Sequence, residues 1–324
     1  MKSNLTYYPI NSTGFIKSLI IHMRPYLLFV SGVVGLTGMA IAPIEGFNLL
    51  NFLLAFIPLF LGYGFGQALT DCFQTDTDSI SAPYRPLSKK VVSPFNIGLV
   101  SSLGLVLIAI TLIIMNLYNI IWMALSIAGL ITYTYFKRQF WIAGPPYNSL
   151  IVMLLPIIGY FALTKGGLAL LSNSNLWLIC GLSFFSYANF VLIGYLKDIS
   201  ADRKTGYNTF PVVFGWVPTI WLGHINLLIA TTFCFSLVGW NDPLSFSIFL
   251  IATLIAIAGQ LRGHFVHEKI ESNASFSIIC TVRSLILWHL AVILQIRPEW
   301  FVFGIVFYTL FELALFLRPK KDQI

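Results

Sequence analysis

The chain alternates long apolar stretches with short polar ones. A helix needs about 20 apolar residues to cross a bilayer, because each adds about 1.5 Å against a hydrocarbon core of about 30 Å. Stretches of that kind lie near residues 26–43, 50–70, 95–116, 118–136, 147–171, 175–196, 216–238, 244–262, 275–296 and 299–317. The stretch at 275–296 contains Arg283 and His289, so the pattern predicts nine or ten transmembrane helices. The expected fold class is an all-α membrane protein, with residues 1–324 forming a single transmembrane helical domain.

Composition points the same way. Hydrophobic residues make up 57% of the 324 positions and charged residues only 10%, against about 25% charged in soluble domains. Such a surface would not stay dissolved in water, so lipid is the expected solvent. The segment Met1 to Met23 does not read as a cleaved signal peptide. Cys72, Cys180, Cys234 and Cys280 form no CxxC pair and read as reduced and structural.

The net charge of +7 would suggest nucleic acid in a soluble protein, but its distribution suggests membrane topology instead. Sixteen of the 19 basic residues fall on alternate connections: Lys2, Lys17 and Arg24; Arg85, Lys89 and Lys90; Lys137 and Arg138; Lys197, Arg203 and Lys204; Arg262 and Lys269; Arg318, Lys320 and Lys321. Of the other three, Arg297 lies on an opposite connection, while Lys165 and Arg283 fall within predicted spans. Lys and Arg mark the cytoplasmic side, so the N-terminus and these loops are expected there. The basic tail joins them only if the number of spans is even, which favours ten.

Acid is scarce. Of 12 acidic residues, Asp71, Asp76 and Asp78 lie in one short stretch and Asp198 and Asp202 in another. Each stretch closes a span on the expected cytoplasmic side. Asp198 and Asp202, four apart, share one face of a helix. Asp71 and Asp78, seven apart, share a stripe with Gln74 if the helix runs on, and Asp76 then points elsewhere. Like charges at such spacing repel unless a cation lies between them. Carboxylates without His or Cys suit Mg²⁺ rather than Zn²⁺. Basic residues beside the acids suit an anionic phosphate ligand bridged by metal. Acids near a membrane edge also suit a proton or ion pathway, so an ion-coupled transporter stands as the competing class.

At these residues the chain resembles the UbiA superfamily of intramembrane prenyltransferases, over roughly residues 20–300. The first family motif, roughly NDxxDxxxD before an Arg-Pro pair, is matched by Thr70-Asp71-Cys72-Phe73-Gln74-Thr75-Asp76-Thr77-Asp78 and then Arg85-Pro86. The second, roughly DxxxDxxxG, is matched by Asp198-Ile199-Ser200-Ala201-Asp202-Arg203-Lys204-Thr205-Gly206, with Thr209 and Pro211 beyond. Tyr133-Thr134-Tyr135-Phe136-Lys137-Arg138 resembles the aromatic–basic segment after the family's fourth helix. Thr70 replaces the family's Asn and Gln74 its Asp, so the first motif has one carboxylate fewer.

The resemblance implies a Mg²⁺-dependent enzyme that ionises a prenyl diphosphate donor to an allylic carbocation and passes it to a lipophilic acceptor, with an aromatic one expected. It implies Asp71, Asp78, Asp198 and Asp202 as catalytic metal ligands with Asp76 as a fifth candidate. Arg85, Lys137, Arg138 and Lys204 are implied for the diphosphate, with Arg24 a further candidate. Tyr63, Tyr133, Tyr135 and Tyr195 are candidates for the carbocation and prenyl pocket, beside Phe65, Tyr147 and Phe190. The eroded first motif leaves open a UbiA-type terpene cyclase, in which no acceptor is needed. Nucleic acid is not an expected partner; the lipid bilayer is.

Overall fold

The computed structural model describes residues 7–43 and 48–318, and every regular element among them is helical. The chain opens with α1 (Thr13–Met23) and α2 (Pro25–Ala40), followed by α3 (Leu49–Asp71) and the short α4 (Thr75–Ser81). Next come α5 (Pro94–Met115), α6 (Asn119–Gln139), α7 (Gly144–Val152) and α8 (Leu154–Ala162). The second half begins with α9 (Ser174–Gly194), the short α10 (Ile199–Thr205) and α11 (Phe210–Phe214). It ends with α12 (Trp216–Val238), α13 (Pro243–Phe265), α14 (Ser275–Ile296) and α15 (Phe301–Phe316). Among the described residues nine helical stretches are long and apolar enough to cross a membrane, α7 and α8 together forming one. The pair α1 and α2, bent by 53°, makes a tenth if counted as one crossing. Lys2, Lys320, Lys321 and residues 44–47 lie outside the described residues.

The centre of the bundle is α2, whose residues from Tyr26 to Ala40 are all buried. Its glycines let α8 approach closely. A Cβ at Gly38 would lie 1.9 Å from the carbonyl oxygen of Pro156, and one at Gly159 would lie 2.3 Å from that of Gly35. Helices in lipid gain association energy from this kind of close packing, since apolar burial adds little there. Around the centre, α5, α6, α12, α13 and α15 expose Leu107, Ile114, Leu125, Leu228, Leu254 and Val302. An apolar surface of that extent is stable against acyl chains and not against water.

One sequence expectation changes. The span expected at 147–171 ends at Ala162, and Lys165, expected inside it, is exposed in the connection that follows. Gly166 and Gly167 are poor helix formers, and Asn116 Nδ2 ties the segment by donating to the carbonyls of Thr164 (2.9 Å) and Gly166 (3.2 Å). The charged stretch 275–296 does form a full helix, α14. Arg283 is gripped at both ends of its fork by Glu312, at 2.7 and 2.6 Å. His289 bonds to Ser183 Oγ (3.0 Å) and the Leu285 carbonyl (2.8 Å). Polar groups with partners of their own are tolerated inside a bundle.

Candidate active site

The first acidic stretch is not one continuous helix. α3 stops at Asp71, the chain turns through Cys72 to Gln74, and Asp78 stands on α4. Both acids nevertheless face one cation. Arg85 Nη1 lies 2.5 Å from Asp78 Oδ2 and 3.6 Å from Asp71 Oδ2. Burial alone would lower the Arg85 guanidinium, but Asp78 and Asp71 hold it above its ordinary value.

Asp71 is more heavily engaged. Its Oδ1 accepts from Gln67 Nε2 (2.7 Å) and Arg24 Nη2 (3.0 Å), and its Oδ2 pairs with His22 Nδ1 (2.9 Å). His22 Nε2 accepts from the backbone N–H of Leu87 (3.2 Å), so the ring proton sits on Nδ1 and is donated to Asp71. The imidazole, fully buried, thereby ties α1, the end of α3 and the segment carrying Arg85 to one another. Arg24 reaches Asp71 from the bend between α1 and α2, where its φ is 50°. That left-handed conformation is uncommon for a residue with a side chain. Sequence reasoning missed His22 and Gln67, since neither lies in an acidic or basic cluster.

The second acidic stretch keeps the expected spacing. The amide of Asp202 donates to the Asp198 carbonyl at 2.8 Å, so the two acids are one helical turn apart. Asp202 is completely buried. Its Oδ2 accepts from Thr209 Oγ1 at 3.0 Å, and its Oδ1 has no hydrogen-bond partner. Burial pushes the Asp202 carboxyl up to about 6; the Lys137 ammonium opposes that rise and Asp198 adds to it.

The two stretches meet. Thr77 Oγ1 on α4 and Thr205 Oγ1 on α10 are 2.8 Å apart. Lys137, at the end of α6, donates to Gln74 Oε1 at 3.2 Å and lies 5.0 and 5.1 Å from the ring centres of Tyr195 and Tyr207.

Below these groups is a cavity whose polar mouth includes Arg24, Asp71, Asp78, Arg85, Lys137 and Asp198. It follows α3 from Asp71 back to Pro58, thirteen residues or about 20 Å. Its deeper wall is apolar, with Leu59, Ile108, Leu112, Met123, Val152 and Ile158. Tyr63, Tyr133, Tyr195 and Phe190 line it, joined by Tyr187, which the sequence had not singled out. The hydroxyls of Tyr133 and Tyr195 are 2.8 Å apart, and Tyr187 donates to Tyr63 at 3.2 Å.

Several expected site residues lie elsewhere. Asp76 is exposed and pairs with Arg138, whose guanidinium lies 4.5 Å from the Tyr207 ring centre. Neither lines the cavity, so each neutralises the other at the surface. Lys204 is exposed on the outer side of α10. Tyr135 is 62% exposed, because two residues along a helix is about 200° around it from Tyr133. Phe65 packs where a Cβ of Gly104 would go, and Tyr147 stacks on Phe136.

Among the described residues no three His, Cys, Asp or Glu side chains form a ready-made metal cage. Mg²⁺ is usually held by one or two carboxylates together with substrate phosphates. Asp202, with an unpartnered buried oxygen, and Asp198 at the cavity mouth are a donor set of that kind. Asp71 is engaged on both oxygens by guanidinium, imidazole and amide donors, whereas Asp78 accepts from Arg85 through Oδ2.

The fold and the cavity define a polytopic helical membrane protein with a charged mouth above an apolar chamber. The chain belongs to the UbiA prenyltransferase family, whose family model matches residues 31–290. It is similar to digeranylgeranylglyceryl phosphate synthase of Thermococcus sibiricus, 29% identical over 205 residues that cover 62% of this chain and 69% of that one. The synthase of Methanococcus vannielii is 27% identical over 209 residues, covering 64% and 72%. A UbiA homologue from Aeropyrum pernix K1 in its apo form shares the fold with a TM-score of 0.67 and 18% identity, covering 82% of this chain and 96% of that one. A UbiA homologue from Archaeoglobus fulgidus bound to GPP and Mg²⁺ aligns with a TM-score of 0.61 and 16% identity, covering 85% and 99%.

Proposed function

We propose that this chain transfers an isoprenyl group from a prenyl diphosphate to a lipophilic acceptor, with Mg²⁺. The observation that carries this reading is the Thr77–Thr205 contact, which brings two acid-bearing helices together over an apolar chamber. The Archaeoglobus homologue bound to GPP and Mg²⁺ supports both the donor class and the ion.

Asp198 and Asp202 are the residues that would hold Mg²⁺, which when bound supplies a Lewis acid for the departing diphosphate. Arg24, Arg85 and Lys137 offer fixed cations to the same anion. Such preorganised charge is worth most where water is excluded. The C–O bond breaks with its electron pair leaving on the diphosphate, and the tail becomes an allylic cation in the chamber. The rings of Tyr63, Tyr133, Tyr187 and Tyr195 can face that cation. An acceptor nucleophile then forms the new bond and loses its proton.

The relatives' name, digeranylgeranylglyceryl phosphate synthase, makes a glyceryl phosphate lipid the first acceptor to test, ahead of the aromatic acceptor expected from the sequence. The mouth is assigned to the cytoplasmic side on charge: Arg85, Lys89, Lys90, Arg203, Arg262 and Lys269 lie on its side, against Lys165 and Arg297 opposite. An ion-coupled carrier fits less well, because carriers place their binding site near mid-membrane and these acids stand at or just beyond helix ends.

Purified protein with Mg²⁺ and geranylgeranyl diphosphate tests the reading. Turnover that needs added geranylgeranylglyceryl phosphate or an aromatic acceptor supports the transferase. A cyclic product formed without acceptor would replace it with the cyclase. Asp198→Asn and Asp202→Asn are each expected to abolish diphosphate release while the bundle stays folded in detergent.

A further inference from the structure

We propose that Glu271 is a positioning residue: it caps α10 in place of Asp198 and so leaves the Asp198 carboxylate turned to the cavity. Its consequence for turnover rests on the prenyl-diphosphate reading, whereas the cap stands on hydrogen bonds alone.

The first turn of a helix has backbone N–H groups with no partner inside the helix. An Asp directly before the helix commonly fills that need. Its backbone is then extended, and its carboxylate turns back to accept from the second or third N–H. Asp198 stands in that place before α10 and does otherwise. Its backbone, at φ −118° and ψ 11°, is not extended, and its side chain makes no cap hydrogen bond. It lines the cavity instead.

The second N–H of α10, that of Ser200, has a different acceptor. It donates to Glu271 Oε1, and the Ser200 hydroxyl donates to Glu271 Oε2 at 2.9 Å. Glu271 lies 71 residues further along the chain, in the connection between α13 and α14. That connection is held in shape. The backbone of Asn273 donates to the Ile270 carbonyl (3.0 Å), its side chain donates to the Glu268 carbonyl (2.9 Å), and Ala274 is buried. A helix of seven residues is marginal by itself, so an open N–H in its first turn seeks an acceptor. Without Glu271, the carboxylate that sequence places to accept from Ser200 is Asp198. Turning to the helix would take it away from the cavity.

A double-mutant cycle tests the cap. The parent, Glu271→Ala, Asp198→Ala and the double variant are unfolded thermally in detergent with EDTA. Asp198→Ala is expected to lower the unfolding temperature by about 2 °C more in the Glu271→Ala background than in the parent, the worth of one cap, because only there does Asp198 hold the helix. Turnover gives the second measurement. Glu271→Ala is expected to raise the Mg²⁺ concentration for half-maximal diphosphate release about tenfold or more. Glu271→Gln, whose amide oxygen still accepts from the Ser200 N–H, should stay within about threefold of the parent. Equal effects of Asp198→Ala in the two backgrounds, or an unchanged Mg²⁺ requirement in Glu271→Ala, would overturn the inference and leave the prenyl-diphosphate reading standing. A parent that releases no diphosphate would overturn that reading, and the cycle would still decide the cap.

Discussion

The hydroxyls of Thr77 and Thr205 meet at 2.8 Å, 128 residues apart in sequence. Each stands on a short helix that follows the end of a membrane-spanning one, and each short helix carries an acid, Asp78 or Asp202. The pair acts as a clasp across the mouth of the cavity. Thr77→Val or Thr205→Val should cost about 1 kcal/mol of stability and raise KM for the prenyl diphosphate several-fold. The double variant should cost no more than either single one. Thermal unfolding in detergent and steady-state kinetics on the three variants check this.

Arg85 stands between two buried acids. Arg85→Met would leave Asp78 without its cation and Asp71 with one fewer, and removing one partner of a buried pair costs about 3–5 kcal/mol. The expected outcome is a large fall in the unfolding temperature, with diphosphate release reduced by about 100-fold in whatever folds. Arg85→Lys should recover much of the stability and less of the rate, since an ammonium keeps the charge but lacks the guanidinium's further, rigidly held N–H donors. Parallel thermal-shift and release assays distinguish the two effects.

The crossing of α2 and α8 is equally sharp in its demand. Gly159→Ala would place a methyl 2.3 Å from the Gly35 carbonyl oxygen, forcing backbone apart at a cost of about 3 kcal/mol or more. Gly62→Ala meets nothing within 4 Å and should fold as well as the parent. Yield and unfolding temperature of the two proteins, prepared side by side, give the comparison.

Asp202 sets a dependence on pH. Burial raises its carboxyl from the ordinary 3.8 to about 6 in the folded protein. A raised carboxyl favours the folded state below pH 3.8, and that advantage is lost as pH rises through about 6. In EDTA, stability should therefore fall between pH 4 and 7 by on the order of 2 kcal/mol. Asp202→Asn should flatten that profile, and saturating Mg²⁺ should raise stability most above pH 6. Unfolding curves across the pH range, with and without the ion, measure it.

Much of this was readable from residue order. Long apolar runs marked the helices, and the turn-long spacing of Asp198 and Asp202 survived because α10 is a regular helix. What the sequence hid depends on breaks and faces. The chain turns at Cys72 to Gln74, so Asp71 and Asp78 converge through Arg85 and not through a shared stripe. Tyr133 and Tyr135 look alike in sequence, yet one lines the chamber and the other points away. Asp76 and Arg138 both sit among functional residues and find each other at the surface. His22 carries no local signal, because its role appears only when α1 folds back against α3 and Leu87. Lys165 was placed within a span because nothing local shows that Asn116 reaches across to hold its loop.

The α2–α8 crossing also limits how this chamber can diversify. At Gly38 and Gly159 two main chains touch, so no side chain can be introduced at those points, and the chamber can be reshaped there only through neighbours such as Leu27 and Ile158. Leu105, Ile108 and Met123, on α5 and α6, carry no such restriction. The spacing of α2 and α8 is therefore a fixed frame, and variation in the length of tail accommodated falls to the side chains that line the chamber.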